Sequence, residues 1–202
     1  MKNTEKMRNM KVIIASGNAG KIKEYRDILE PLGWEVISRH EAGIDADPEE
    51  TGTTFEENAL IKARAIHDLA HTCVIADDSG LQVKALGNEP GIYSARYKGL
   101  TDEHARRMAV LQGLEGAADR EAQFVCCICF MEENGAHHLF TGIWNGTVAM
   151  KEEGENGFGY DPIFISEDSG GKTTASLPIT FKEQYSHRAK AVRLLLEYLQ
   201  NQ

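Results

Sequence analysis

Cysteine, proline and long apolar runs are all scarce in this sequence. Four cysteines occur in 202 residues, and three of them, Cys126, Cys127 and Cys129, fall in one apolar stretch, FVCCICF. Cys73 stands alone. A zinc site wants two pairs at Cys-x2–4-Cys spacing, so no zinc site is expected and the thiols are read as buried in strands. No apolar run approaches the roughly 18–20 residues of a membrane span. The opening MKNTEKMRNM is charged and carries no apolar signal segment. Residues 1–9 are therefore expected to be a loosely ordered leader, with the cytoplasm as compartment and no membrane partner. Positive charge is short as well: 22 Lys and Arg face 31 Asp and Glu, a formal net charge of −9. That excludes a broad basic face for a nucleic-acid polymer. It leaves room for one small anion neutralised by local cations or a metal.

What remains is ordinary globular material, 42% hydrophobic and 26% charged. The length suits one domain, or one domain of two lobes. Residues 11–15 read as a buried strand. A helix follows from Gly20, with Ile22, Tyr25, Ile28, Leu29 and Leu32 at helical spacing and Gly33 as its stop. Residues 34–38 read as a second strand. Thr54-Phe55-Glu56-Glu57 is a capping box that opens a helix to about Leu69, with Phe55, Ala59, Ile66 and Leu69 as core candidates. CVIADDSGLQV (73–83) reads as strand, acidic turn, strand. Thr101 is expected to cap a helix with Met108, Leu111 and Leu114 on one face. Residues 121–149 read as a long hairpin turning at Asn134-Gly135. Ser186 is expected to cap a last helix with Ala189, Val192, Leu196 and Leu199 inward. The fold class is α/β, a mixed twisted sheet flanked by helices.

Several segments carry chemistry. SGNAGK (16–21) joins a strand to a helix through two glycines and a lysine. It is not a Walker A loop, because only Asn18 and Ala19 separate Gly17 from Gly20-Lys21, and Ile22 follows. Its glycines, helix N-terminus and lysine suit a phosphate, and they equally suit a tight turn with a solvated lysine. ADDSGL sets Asp77 and Asp78 side by side, and strand alternation points them to opposite faces. One can enter a cleft and hold Mg²⁺ while the other supports the turn. Glu49 or Glu50 can bring a further acid. Asn58 and Lys62 share a helical face. PGIYSARY (90–97) fixes a turn beside tyrosines. In GFGYDPIF, Phe158 and Tyr160 alternate with glycines, as rings that stack on a base do, or as core residues do. Lys182, His187 and Arg188 gather near a helix start, where cations are disfavoured; they point to an anion or acceptor-rich ligand nearby or, more simply, are exposed to water.

Taken together, SGNAGK, EETGTTFEENALIKA, ADDSGL, PGIYSARY, GFGYDPIF and SHRA occur in the order found in the inosine triphosphate pyrophosphatase family. The chain resembles a bacterial-type member from about Met10 to its C-terminus. The resemblance implies a single two-lobed domain over residues 10–202, a long mixed sheet, a central active-site cleft and a homodimer. It implies hydrolysis of non-standard purine nucleoside triphosphates (ITP, dITP, XTP) to the monophosphate and pyrophosphate, with Mg²⁺ as cofactor. By motif, Ser16, Gly17, Asn18, Ala19, Gly20 and Lys21 should hold the phosphates, with Lys62 assisting. Glu50 and Asp78 should hold the metal, and Asp78 should also be the base. Ser79, Phe158, Gly159, Tyr160, Asp161, Lys182, His187 and Arg188 should line the nucleoside pocket. The sequence departs from the family pattern at Asn156, Ser176 and Ala189, all near the expected base pocket. A P-loop kinase and a non-catalytic nucleotide sensor are the rival readings; the missing Walker spacing opposes the first and the intact ADDSG the second.

Overall fold

The computed structural model describes residues 10–201, so the leader expected over residues 1–9 lies outside the described residues. The strands are β1 (Lys11–Ile14), β2 (Glu35–Ser38), β3 (Val74–Val83), β4 (Glu89–Pro90), β5 (Glu121–Met131), β6 (His137–Val148) and β7 (Phe164–Ser166). The helices are α1 (Ala19–Leu29), α2 (Phe55–Ala70), α3 (Glu103–Gly113), α4 (Ile179–Tyr185) and α5 (His187–Gln200). The strands form one sheet in the order β2-β1-β3-β5-β6-β7, with β4 on β3. β1 runs parallel to β2 and β3, whereas β3–β4 and β6–β7 are antiparallel. The expected mixed sheet with flanking helices is observed.

The chain divides into two compact units. Among the described residues the first holds 10–78, 126–141 and 188–201, and the second holds 79–125 and 142–187. The first unit's core gathers Val12, Ile14, Tyr25, Leu29, Trp34, Ile75, Ile128, Phe130, Val192 and Leu195. The second unit's core gathers Leu81, Val83, Val110, Leu114, Phe124, Trp144, Ile163 and Phe164. The cysteines are free thiols, with Cys126, Cys127 and Cys129 buried.

Several local expectations hold for their stated reasons. Gly33 ends the first helical segment in the left-handed region (φ 88°), where a Cβ is strained. Thr54 accepts from the Glu57 amide at 3.2 Å. Glu57 reaches back one residue further than the capping box implies, to the amide of Thr53 at 2.6 Å. The turn at Asn134-Gly135 connects β5 and β6, with Asn134 Oδ1 accepting from the Ala136 amide at 2.8 Å.

Others are corrected. No turn interrupts residues 73–83, because β3 is a continuous ten-residue strand. Asp102, not Thr101, caps α3, since its carboxylate accepts from the Ala105 amide at 2.8 Å. α3 buries Arg106, Ala109 and Val110, while Met108 is exposed. Leu69, expected in the core, is 61% exposed in the last turn of α2. In α5, Ala189 and Val192 are buried and Leu196 and Leu199 pack on the core as expected, and Leu195 joins them fully buried. Lys182 belongs to the last turn of α4, where the helix dipole favours a cation, rather than to the start of α5.

Candidate active site

In the first unit β1 delivers the chain to Ser16, and Asn18 caps α1 by accepting from the Lys21 amide at 3.1 Å. Ser16 Oγ accepts from the Asn18 amide at 3.1 Å, tightening the turn. The amides of Ala19 and Gly20 open the helix, at positions that have no partner in a helical ladder. Gly17 packs close to Arg39: a Cβ there would lie 3.1 Å from Arg39 Nη2, so the guanidinium would have to shift slightly. Arg39 is itself anchored to the Ala46 carbonyl and to Asp47 at 3.0 Å.

Lys21 Nζ sits 2.9 Å from Asp77 Oδ2. The same oxygen accepts from Arg188 Nη2 at 3.0 Å. Arg188 also pairs with Glu24 and lies over the Tyr25 ring at 5.7 Å. Its residue is 1% exposed. Burial alone would push the Asp77 carboxyl up, but the charges of Lys21 and Arg188 outweigh it and hold Asp77 far below the usual carboxylate range. Asp77 is therefore a fixed buried anion.

Asp78 meets different partners. Its Oδ2 accepts from Asn58 Nδ2 at 3.1 Å and its Oδ1 from Lys62 Nζ at 3.1 Å. Lys62 Nζ also donates to Glu50 Oε1 at 2.7 Å. Residues 50, 58, 62 and 78 are thus brought to one place by α2, whose i and i+4 positions share a face. Asn58 Oδ1 accepts from the Gly52 amide at 2.8 Å, which pins the loop carrying Glu50. A Cβ on residue 52 would lie 2.6 Å from that Oδ1, so the approach requires glycine. Burial raises the Asp78 pKa above its ordinary value, and the opposing charges of Lys62 and Lys21 do not cancel the rise. Two adjacent aspartates are thereby driven in opposite directions.

Glu50 and Asp78 suit a small hard cation. Mg²⁺ usually takes one or two protein carboxylates and completes its shell with water and phosphate oxygens. Among the described residues no group of three or more His, Cys, Asp and Glu could cage an ion.

The second unit carries the aromatic loop. Asp161, 1% exposed, accepts from the Phe158 amide at 2.9 Å, from Thr174 Oγ1 at 3.0 Å and from Lys182 Nζ at 2.7 Å. Lys182 Nζ also lies 4.6 Å from the Phe158 ring centroid. Tyr160 donates to the Ser94 carbonyl at 2.8 Å. Ser94 in turn accepts from the Leu81 amide at 3.0 Å, and a Cβ on Gly80 would collide with its hydroxyl and with the Gly91 carbonyl. This ties the segment after Asp78, including Ser79, to PGIYS. The His187 ring stacks on Phe124 at 4.7 Å and an 11° interplanar angle. Asn156, one of the departures from the family pattern, donates from its side chain to the Leu177 carbonyl at 2.9 Å.

The structure therefore groups the expected residues by unit. Ser16 through Lys21, Glu50, Lys62, Asp78 and Arg188 belong to the first; Ser79, Phe158 through Asp161, Lys182 and His187 belong to the second. Arg188, expected in the nucleoside pocket, directs Nη1 and Nη2 to Glu24 and Asp77. Sequence reading missed Arg39, Glu103 and Arg107. Glu103 and Arg107 look like solvated helix charges, and nothing local marks them; Arg39 opens an acidic loop, where an arginine reads as a partner for the nearby carboxylates.

A Ham1 family model matches residues 12–198. The dITP/XTP pyrophosphatase of Haemophilus influenzae is 45% identical over 190 residues, covering 92% of this chain and 96% of that protein. The dITP/XTP pyrophosphatase of Thermus thermophilus is 40% identical over 193 residues, covering 95% and 92%. The solved Ham1 protein of Staphylococcus aureus superposes with a TM-score of 0.84 at 44% identity, covering 95% of this chain and 98% of that one. A family model spanning nearly the whole chain, relatives at 40–45% identity and a matching backbone agree with the six motifs: the chain belongs to the Ham1 family.

Proposed function

We propose that this chain is a Mg²⁺-dependent nucleoside triphosphate pyrophosphatase that cleaves ITP, dITP and XTP to the monophosphate and pyrophosphate, with Asp78 as base. The observation that carries the assignment is the opposite treatment of two neighbouring carboxylates. Asp77 is locked as an anion by Lys21 and Arg188. Asp78 is kept more basic by burial while it faces Glu50 across Lys62. Carboxylates whose environments drive them apart divide acid–base work between them. Its family relatives carry the name dITP/XTP pyrophosphatase.

Asp78 would accept the proton of the attacking water as that water's oxygen bonds to phosphorus and the bridging oxygen departs with the leaving group. Lys21 has three donors. One is directed to Asp77, and the others remain for phosphate oxygens, together with the amides that open α1. Lys62 can likewise add a donor to a phosphate beyond those it gives Glu50 and Asp78. Glu50 and Asp78 would hold Mg²⁺, which supplies charge neutralisation on the phosphates and a more acidic water. If so, Glu50→Gln raises the Mg²⁺ concentration for half-maximal rate, and excess metal partly restores the rate. A metal titration that does not move returns Glu50 to a solvated loop acid.

The nucleoside falls to the second unit's residues. The Lys182 ammonium offers donors and no acceptor, and its Asp161 anchor holds it in place. Hypoxanthine and xanthine present a 6-keto acceptor to it, where adenine presents an amino donor. Guanine shares the keto group, and its 2-amino group must be rejected separately. A panel of triphosphates read for monophosphate and pyrophosphate should rank ITP, dITP and XTP well above GTP, and GTP at or above ATP. Equal hydrolysis of ATP and ITP would sink the donor argument. The same reading has the enzyme working as a homodimer in the cytoplasm; no described helix is long and apolar enough to cross a membrane.

A further inference from the structure

Gly159 stands between Phe158 and Tyr160 with a left-handed backbone (φ 61°). Both polar groups around it are held by side chains of one helix. Its amide donates to Glu103 Oε2 at 3.0 Å, and its carbonyl accepts from Arg107 Nη1 at 2.8 Å. Glu103 and Arg107 lie four apart on α3 and pair with each other at 3.7 Å. Arg107 Nε is bonded to Glu152, whose other oxygen meets His104 Nδ1 at 2.9 Å. Charges therefore back the grip from behind, and both of its bonds are charge-assisted.

We propose that Glu103 and Arg107 are positioning residues that set nucleoside affinity by fixing the Gly159 backbone. The inference rests on the reading of Phe158–Asp161 as nucleoside-binding. No helix or strand holds residues 149–160. Backbone bonds tie Glu153 to Pro162 and Asn156 to Ala175, whereas the Gly159 amide and carbonyl are held by the two α3 side chains. A peptide gripped at one point can pivot. Gripped through both its N–H and C=O, Gly159 fixes the directions in which Phe158 and Tyr160 leave it. Phe158 then lies under the Lys182 ammonium, and its amide reaches Asp161. Losing the grip lets the ring and the Asp161–Lys182 pair sample orientations that cannot bind, and affinity falls by the fraction lost. Binding of the phosphates to Lys21 and the start of α1 does not pass through this loop.

The test compares two ligands by calorimetry, inosine monophosphate and inorganic pyrophosphate, alongside ITP kinetics. Arg107→Met should weaken inosine monophosphate and raise KM for ITP by about tenfold, the scale of one charge-assisted hydrogen bond. Pyrophosphate affinity and kcat should stay within about twofold, below the effect of one such bond. Glu103→Ala, at a half-exposed position that tolerates truncation, should do the same. Glu103→Gln should restore affinity, because the amide oxygen still accepts from Gly159. Equal losses for both ligands, or no loss for either, would overturn the proposal. Phe158→Ala separates the two levels. If it weakens inosine monophosphate while Arg107→Met and Glu103→Ala do not, the grip alone is wrong. If Phe158→Ala leaves that affinity unchanged, the reading of the loop fails and the grip with it.

Discussion

Asp78→Asn should cost about 10²–10⁴-fold in turnover through loss of the base alone, and more once the weaker metal ligand is counted. The amide has nearly the same shape, so the protein should fold. Its oxygen can still accept from Asn58 or from Lys62. It cannot serve both as the carboxylate does, since one of its two positions becomes a donor facing a donor. A modest fall in melting temperature is therefore expected beside a near-total loss of rate. Circular dichroism and a pyrophosphate-release assay on the same preparation check both halves. A variant that folds and turns over at close to the wild-type rate would remove Asp78 from the chemistry.

Arg188→Ala should strike stability rather than base selectivity. The guanidinium is buried with Asp77 and Glu24, and removing it leaves Asp77 paired with Lys21, a loss of about 3 kcal/mol, the low end for breaking a buried ion pair. For a chain of this size that is a fall of about 10 °C in melting temperature. Arg188→Lys should rescue little, because an ammonium cannot reproduce a fork that spans two carboxylates. Acid unfolding gives a second readout. A carboxylate whose folded pKa is depressed contributes stability that is present above its unfolded pKa and is lost as pH falls through the folded one. Asp77 is depressed far below the ordinary range, partly by Arg188, so wild type should keep this contribution into strong acid. The variant should begin to lose it at higher pH. Unchanged thermal and acid midpoints would show that Asp77 does not depend on Arg188.

Local chemistry made much of the fold legible. The apolar run before SGNAGK, the Thr54 cap and the Asn134-Gly135 turn each specify their element through nearest neighbours. Asp77-Asp78-Ser79-Gly80 misled, because Asp, Ser and Gly are turn formers when their side chains bond locally. Here the two carboxylates find cations on α1, α2 and α5 instead, so the backbone stays extended. Arg188 lies 111 residues from Asp77, a distance at which no window along the chain can see the pair. The six motifs located the acids and lysines of the candidate site, but not who pairs with whom. Glu103 and Arg107 stayed hidden for a similar reason: their partner is a backbone peptide more than fifty residues away.

The alternation of β3 has a consequence for which aspartate can do which job. The two are chemically identical and one residue apart, so nothing in their own structure distinguishes the proposed proton acceptor from the buried counter-ion. The distinction is made by indexing. Ile13 faces Val74 and Ile14 faces Ile75 across the β1–β3 ladder, and those apolar pairs set the phase of the strand. A slip by one residue would reverse every side chain in it. Asp78 would then turn to the face from which Lys21 and Arg188 reach Asp77, and away from Asn58 and Lys62. Buried apolar side chains of β1 thus act as the reading frame for the two aspartates.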